Sequence, residues 1–170
     1  MKYFDFLLNK KNISRGFTLI EMLVYLGLFS ILILLITEIF FSALDVQLES
    51  RSTSDVEQDG RFILARLMYD IENTQSITTP ASAGQQNSTL QITVNGIGYT
   101  YAVNSGDLQL TNDKGVNILN SYDITVSNLT FTRLGVLGKP TITVNLTLTS
   151  KTKRTAGAES KSYQTTMGLR

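Results

Sequence analysis

The 170-residue sequence predicts an α+β fold in which one long N-terminal helix, first apolar and then amphipathic, packs on an antiparallel β-sheet. Three observations support this prediction. An apolar run near the N-terminus is long enough for a membrane-spanning helix. The apolar residues that follow recur with helical spacing. The second half of the chain alternates apolar and polar residues between turn signals, as strands do.

The apolar run is Phe17–Thr37, in which Glu21 is the one charged residue. As a helix it would extend about 31 Å, close to the hydrocarbon thickness of about 30 Å. It is longer than the apolar core of a secretory signal peptide, and no small-residue cleavage site follows it. The sequence therefore predicts a membrane-spanning helix over residues 17–37 rather than a buried core helix.

The segment before this run is basic. Residues 1–16 carry four basic residues against one acidic residue. Because positive flanks stay in the cytoplasm, residues 1–16 are predicted to be cytoplasmic and everything after Thr37 to lie outside. Glu21 is costly within the span unless it hydrates near the interface or is met by a cation from elsewhere.

The string Arg15-Gly16-Phe17-Thr18-Leu19-Ile20-Glu21 resembles the type IV prepilin signature. The resemblance implies that a membrane peptidase cuts after Gly16 and that the new terminus, Phe17, is N-methylated. It also implies that Glu21 pairs with the terminal ammonium of a neighbouring subunit during assembly. The basic residues of the leader in this resemblance are Lys10, Lys11 and Arg15.

The resemblance also implies a set of partners and a location. The partners are a prepilin peptidase and methyltransferase, other pilins or pseudopilins in a helical filament, an inner-membrane assembly platform and the lipid bilayer. The location is the bacterial inner membrane, crossed once, and then a filament at the cell surface. Residues 1–16 become a cleaved leader, residues 17–37 the assembly helix, and the expected fold is pilin-like.

The helix is predicted to continue as an amphipathic segment over residues 38–79, ending near Asn73 and followed by a polar loop over residues 78–88. Its apolar stripe is formed by Val56, Ile63, Leu67 and Ile71, which share one helical face. Four charged residues are expected largely off that face: Arg61, Arg66, Asp70 and Glu72. Glu57 and Arg61 form a favourable i,i+4 pair.

Residues 80–170 form the predicted antiparallel head. Asn95-Gly96 supplies a type I′ hairpin signal between two alternating runs. The predicted strands are Leu90–Val94, Ile97–Val103, Leu108–Leu110, Ile124–Val126, Leu129–Phe131, Thr141–Thr149 and Tyr163–Leu169. Thr and Asn at the outward positions suit a sheet with one solvated face.

The net charge changes sign between the predicted helical segment, which ends at residue 79, and the head, which begins at residue 80. Residues 17–79 hold three basic and nine acidic residues, whereas residues 80–170 hold eight basic and four acidic residues. Opposite charge on helix and head would guide packing between staggered subunits. Alternatively, the acidic residues of the helix simply face solvent.

The composition disfavours most enzymes. The chain has no Cys and no His, which removes thiolate nucleophiles, the commonest general base and the commonest metal ligands. No catalytic constellation stands out, and no cofactor or metal is predicted. Turn chemistry explains Asp107, Asp113 and Asp123 better than a calcium loop does. A nucleic-acid partner is disfavoured, because net charge is +1 and one small basic cluster is weak evidence. That cluster is Lys151, Lys153, Arg154 and Lys161.

Two functions from different classes follow. The first is a structural subunit, a minor pilin or pseudopilin of the J or W type, which the Gly60–Leu67 run and the C-terminal residues loosely resemble. The second is a single-pass anchored β-domain that binds a ligand without polymerising. The first requires loss of residues 1–16, and the second requires their retention.

Overall fold

The computed structural model describes residues 16–135, 140–154 and 156–169. These residues form one helix followed by nine strands. The elements are α1 (Leu19–Glu72), β1 (Thr74–Thr79), β2 (Gln86–Asn87), β3 (Leu90–Val94), β4 (Ile97–Asn104), β5 (Asp107–Asn112), β6 (Gly115–Ile118), β7 (Ile124–Leu134), β8 (Thr141–Ser150) and β9 (Ser160–Gly168). The chain divides into two units, Met1–Ala43 and Leu44–Arg170, and α1 contributes to both.

In the first unit, α1 is apolar on all sides and its large side chains are exposed. Two of its hydroxyl groups donate to carbonyl groups of the helix itself. Ser30 Oγ donates to the Leu26 carbonyl at 2.8 Å, and Thr37 Oγ1 donates to the Ile33 carbonyl at 2.8 Å. These bonds lower the cost of placing a hydroxyl in an apolar environment.

In the second unit, the predicted stripe of α1 is confirmed as the buried face. Val56, Ile63, Leu67 and Ile71 are all 0% exposed and belong to the hydrophobic core. The core is completed by alternate residues of the strands, with Tyr101 and Phe131 as its largest members. Burial of this face stabilises the outer part of α1, since helix propensity alone is a weak contribution.

The strands form two antiparallel sheets, and the predicted α+β class is confirmed. The first sheet has the order β1-β3-β4-β5-β6, and the second has the order β2-β7-β8-β9. The sequence predicted the antiparallel pairing but not the division into two sheets. The Asn95-Gly96 hairpin forms as expected between β3 and β4, because both residues adopt positive φ, 52° and 79°.

β7 replaces two predicted strands. The segments Ile124–Val126 and Leu129–Phe131 belong to one long strand, whose register against β8 shifts between Ser127 and Thr130. Asn128 lies inside this bulge with a φ of 52°. The extra residue interrupts the alternation of apolar positions, which makes one bulged strand resemble two short ones in the sequence.

Two further predictions need correction. The helix ends at Glu72, close to the predicted end near Asn73, but residues 74–79, which the 38–79 segment counted with the helix, form a strand paired with β3. The loop predicted over residues 78–88 is therefore shorter, because β1 and β2 occupy both of its ends. These strands are rich in Thr, Gln and Ser, and their pairing depends on partners distant in the sequence.

The connection between the two sheets is held by Arg133 in β7. Its Nη1 donates to the carbonyls of Ala81 and Pro80 at 2.8 and 3.2 Å. Its backbone also exchanges hydrogen bonds with this connection, since Gly84 N donates to Arg133 O and Arg133 N donates to Gln85 O. One residue thus satisfies carbonyl groups that no strand ladder reaches.

Candidate processing and assembly site

The candidate site lies at the start of α1. Gly16, Phe17 and Thr18 precede the helix and are exposed, and the Phe17 side chain is 70% exposed. The backbone on both sides of the Gly16–Phe17 bond is therefore outside regular structure. An exposed, non-helical peptide bond is the form in which a peptidase can bind a substrate chain.

Thr18 begins the helix as its N-cap. Its Oγ1 accepts a hydrogen bond from the Glu21 backbone N at 3.3 Å, and its carbonyl accepts one from Met22 N at 3.1 Å. The Thr-x-x-Glu spacing is the sequence pattern of a capping box. Glu21 also lies in the first turn, where a negative charge is favoured by the helix dipole. This capping role of Thr18 was not among the sequence predictions, although the Thr-x-x-Glu spacing indicates it.

The Glu21 side chain has a partner one turn along the helix. Tyr25 Oη donates to Glu21 Oε1 at 3.4 Å. The Tyr25 ring also contacts the Phe17 ring edge to face, with centroids 6.0 Å apart and planes at 73°. Phe17, Glu21 and Tyr25 are spaced four residues apart and so share one strip of surface.

In the described part of the chain, α1 is the helix that is long and apolar enough to cross a membrane. Its most apolar stretch of 18 residues is 0% buried. A core helix of a soluble protein would have most of such a stretch covered by protein. The absence of burial in this stretch therefore favours a membrane-spanning helix over a buried core helix.

Residues 11–37 match the family model of the prokaryotic N-terminal methylation motif. Comparisons with curated proteins and with solved structures found no match. The methylation motif contains Gly16, Phe17 and Glu21, and it supports the resemblance to type IV pilins and pseudopilins. With the apolar helix, it supports membrane anchoring and indicates a pilin-like structural protein.

The structure describes some of the predicted site residues and not others. Phe17 and Glu21 lie on the same strip, with Gly16 directly before them. The basic leader residues Lys10, Lys11 and Arg15 lie outside the described residues. Cleavage after Gly16, methylation of Phe17 and pairing through Glu21 all stay predictions. The residues that the sequence analysis missed here are Thr18 and Tyr25.

The second unit pairs helix acids with head bases inside one chain. Lys161 Nζ lies 2.8 Å from Glu57 Oε1, and Arg154 Nη1 lies 3.6 Å from Glu49 Oε1. The predicted Glu57–Arg61 pair also forms, at 3.4 Å. The hydrogen bond from Lys161, its charge and a smaller contribution from Arg61 lower the pKa of Glu57. The same hydrogen bond raises the pKa of Lys161.

Most cations of the basic C-terminal cluster have hydrogen-bond acceptors or acidic partners within the chain. Besides the pairs above, Arg154 contacts Glu159 at 2.9 Å, and Lys151 Nζ donates to the Tyr122 carbonyl at 2.6 Å. Three of the four cations thus have acceptors within the chain, which weakens the case for a nucleic-acid surface. The described residues contain no group of three acidic side chains able to hold a metal ion, so the turn aspartates do not converge.

Asp70 was predicted to lie largely off the apolar face of the helix. The structure corrects this prediction, because Asp70 is buried. Its Oδ2 accepts hydrogen bonds from Arg66 Nε at 2.7 Å and from the Tyr101 hydroxyl. Burial, together with the hydrogen bond to Asp70, raises the pKa of the Tyr101 phenol, which therefore stays protonated. This network joins α1 to β4 without leaving an unpaired buried charge.

Two other contacts join α1 to the head, one through the connection between β6 and β7 and one through β9. The Asp59 carboxylate accepts from Ser121 N at 2.6 Å and from Ser121 Oγ at 2.7 Å. Tyr163 Oη donates to the Val56 carbonyl at 3.1 Å, and its ring lies directly over Gly60. A Cβ at position 60 would overlap that ring. Gly60 is thus required for close approach of β9 to the helix.

Proposed function

We propose that this chain is a structural subunit of the minor pilin or pseudopilin kind, of the J or W type. A prepilin peptidase cuts it between Gly16 and Phe17, and Phe17 is then methylated. The mature subunit is held in the inner membrane by α1, with the leader on the cytoplasmic side and the head outside. An assembly platform then inserts it, with other pilins or pseudopilins, into a filament of the type IV pilus or type II secretion kind.

The observation that carries this proposal is the methylation motif over residues 11–37, placed where an exposed Gly16–Phe17 bond precedes an apolar helix. The motif alone supports processing. The helix supports retention in the bilayer after the leader is removed, because the apolar run lies wholly on the C-terminal side of the Gly16–Phe17 bond.

The assembly role of Glu21 is what the resemblance to prepilins implies, and electrostatics supports it. A carboxylate within an apolar span is costly unless it is paired. Cleavage creates an ammonium on Phe17, which stays cationic when methylated, and a neighbouring subunit can present it to Glu21. A charge-assisted hydrogen bond in this setting favours the correct stagger between subunits.

The mass of the N-terminus tests the proposal. Native chain purified from membranes or filaments is expected to begin at a methylated Phe17. A chain that keeps Met1 would overturn the proposal and favour an anchored β-domain that binds a ligand without polymerising. Gly16→Ala and Gly16→Lys variants, compared with a Gly27→Ala variant, test whether processing depends on this glycine rather than on glycine in the span.

The assembly role is tested separately. Glu21→Gln is expected to be cut normally but to enter filaments poorly, whereas Glu38→Gln removes an acid from the same helix and serves as the matched control. Normal incorporation of Glu21→Gln would remove Glu21 from the mechanism while leaving the processing intact.

A further inference from the structure

Tyr25 contacts both residues on which the proposed function rests. Its hydroxyl donates to the Glu21 carboxylate at 3.4 Å, and its ring packs edge to face against the Phe17 ring. Within residues 16–135, 140–154 and 156–169, Tyr25 is the side chain that donates a hydrogen bond to the Glu21 side chain. On its other side Tyr25 neighbours Met22, Leu28 and Phe29, whose side chains offer no donors. The Thr18 hydroxyl also lies beside Glu21, but among the described residues its hydrogen bond is with the Glu21 backbone N and not with the carboxylate.

The hydrocarbon core of a bilayer cannot replace this donor. Water is scarce there, so a carboxylate depends on the protein for its hydrogen bonds. A phenol at i+4 reaches back towards the N-terminus, where the Glu21 side chain lies. The Tyr25 hydroxyl can therefore give the Glu21 carboxylate one hydrogen bond before any other subunit is present.

We propose, on the basis of the proposed function, that Tyr25 is the resting partner of Glu21 in the unassembled subunit. On assembly, the Phe17 ammonium of a neighbouring subunit replaces the Tyr25 hydroxyl at the carboxylate. A cationic donor forms a stronger hydrogen bond than a neutral phenol, so the exchange is favourable. Tyr25 is thus a positioning residue that lowers the cost of the free subunit and opposes assembly by the same amount.

The size of the effect follows from hydrogen bonds measured in other membrane proteins. Their average coupling corresponds to a change of about threefold in an equilibrium. Tyr25→Phe removes the hydroxyl and keeps the ring that contacts Phe17. It is therefore expected to shift the ratio of assembled to membrane-resident subunit about threefold towards assembly.

The hydrogen bond itself is tested in the full, uncut chain in lipid bicelles. With tyrosine labelled with ¹³C at Cζ, the Tyr25 signal is expected to move in a Glu21→Ala variant and to stay in place in Glu38→Ala. The Tyr69 signal, from an exposed ring in the second unit, serves as the internal reference. An unmoved Tyr25 signal in Glu21→Ala would overturn the proposal even where filaments form.

The exchange is tested by a double-mutant cycle in cells that assemble the subunit. Tyr25→Phe should raise the assembled fraction when Glu21 is present and have no effect in the Glu21→Ala background. An equal effect in both backgrounds would show a packing role and overturn the exchange. If the chain is found uncut, the proposed function fails and the exchange fails with it, whereas the ¹³C result still decides whether Tyr25 holds Glu21.

Discussion

The two parts of α1 have the same helical pattern of backbone hydrogen bonds, but one part is exposed and the other packs against the rest of its unit. In residues 19–43 the large apolar side chains are exposed on every side. In residues 44–72 a single stripe is buried, and polar residues occupy much of the remaining surface. Because both parts are helical, the distribution of apolar residues reports the solvent of each segment rather than its secondary structure.

Polar groups are satisfied differently in the two parts. In residues 19–43, Ser30, Thr37 and Glu21 use partners within one turn of the same helix. In residues 44–72, Asp59 and Asp70 reach partners on distant parts of the chain. A segment without surrounding protein must satisfy its polar groups locally, whereas a packed segment can use tertiary partners.

The largest expected effect comes from placing the same charge in both parts. Leu67→Asp buries an unpaired carboxylate in the core and should cost more than about 4 kcal/mol in free energy of unfolding, which would prevent folding of the second unit. Leu32→Asp should leave that free energy unchanged and weaken membrane insertion by about 3 kcal/mol. Denaturant unfolding of the full chain in detergent and alkaline extraction from membranes measure the two effects. Equal effects at the two positions would remove the distinction.

Asp70→Ala should have the next largest effect, about 2–3 kcal/mol, because it leaves the buried Tyr101 hydroxyl without its acceptor and removes the partner of Arg66, which solvent can still reach. Glu72→Ala, two residues further along the helix, should change the free energy of unfolding by less than about 0.5 kcal/mol. Chemical denaturation followed by circular dichroism makes the comparison. A small effect of Asp70→Ala would mean that the network is not needed for stability.

Gly60→Ala tests the close contact between α1 and Tyr163 in β9. The added methyl group would displace the Tyr163 ring and its hydrogen bond to the Val56 carbonyl, at a cost of about 1–3 kcal/mol. In a Tyr163→Ala background the same substitution should be nearly neutral or slightly stabilising, since alanine is favoured over glycine in helices. Thermal unfolding of all four chains measures this coupling, and additive effects would argue against the contact.

The smallest expected effect concerns the surface pair of Lys161 and Glu57. Because the pKa of Glu57 is lowered in the folded chain, its contribution to stability is present above its unfolded value, near 4.5, and is lost as the pH falls through the folded value. The pKa of Lys161 is raised, so its contribution is present below 10.5 and is lost as the pH rises through its folded value.

Lys161→Met should return the Glu57 pKa towards 4.5, with Arg61 still lowering it slightly, and should change stability little because both side chains are exposed to solvent. Carboxyl ¹³C chemical shifts measured against pH follow the Glu57 titration directly. Lys153→Met removes a cation of the same basic cluster that forms no ion pair with Glu57 in the described residues, and it is the matched control. An unchanged Glu57 titration in Lys161→Met would contradict the assignment.

Local patterns made most of the fold predictable. The apolar span, the stripe through Ile63 and Leu67, and the Asn95-Gly96 hairpin each depend on residues close together in the sequence. The division into two sheets was not predictable in this way, because strand order depends on pairing between distant segments. The burial of Asp70 was missed for the same reason, since its partner Tyr101 lies 31 residues away.

The candidate site was predictable to the extent that it is a linear motif. Gly16, Phe17 and Glu21 were found from their order and from the apolar run behind them. Thr18 and Tyr25 were readable from capping and i,i+4 spacing, but the motif drew attention to the other residues. Gly60 was noted only as part of a resemblance, and its contact with Tyr163 requires the tertiary structure.

The Thr18 cap has a consequence for maturation. The helix is started by a residue that lies on the C-terminal side of the Gly16–Phe17 bond. Removal of the leader by the proposed cleavage would therefore leave the first turn and its register as they were, with no need to nucleate the helix again. Processing would alter the electrostatics of the terminus, replacing a neutral amide by a cation, while the first turn of α1 keeps the same hydrogen bonds in precursor and mature subunit.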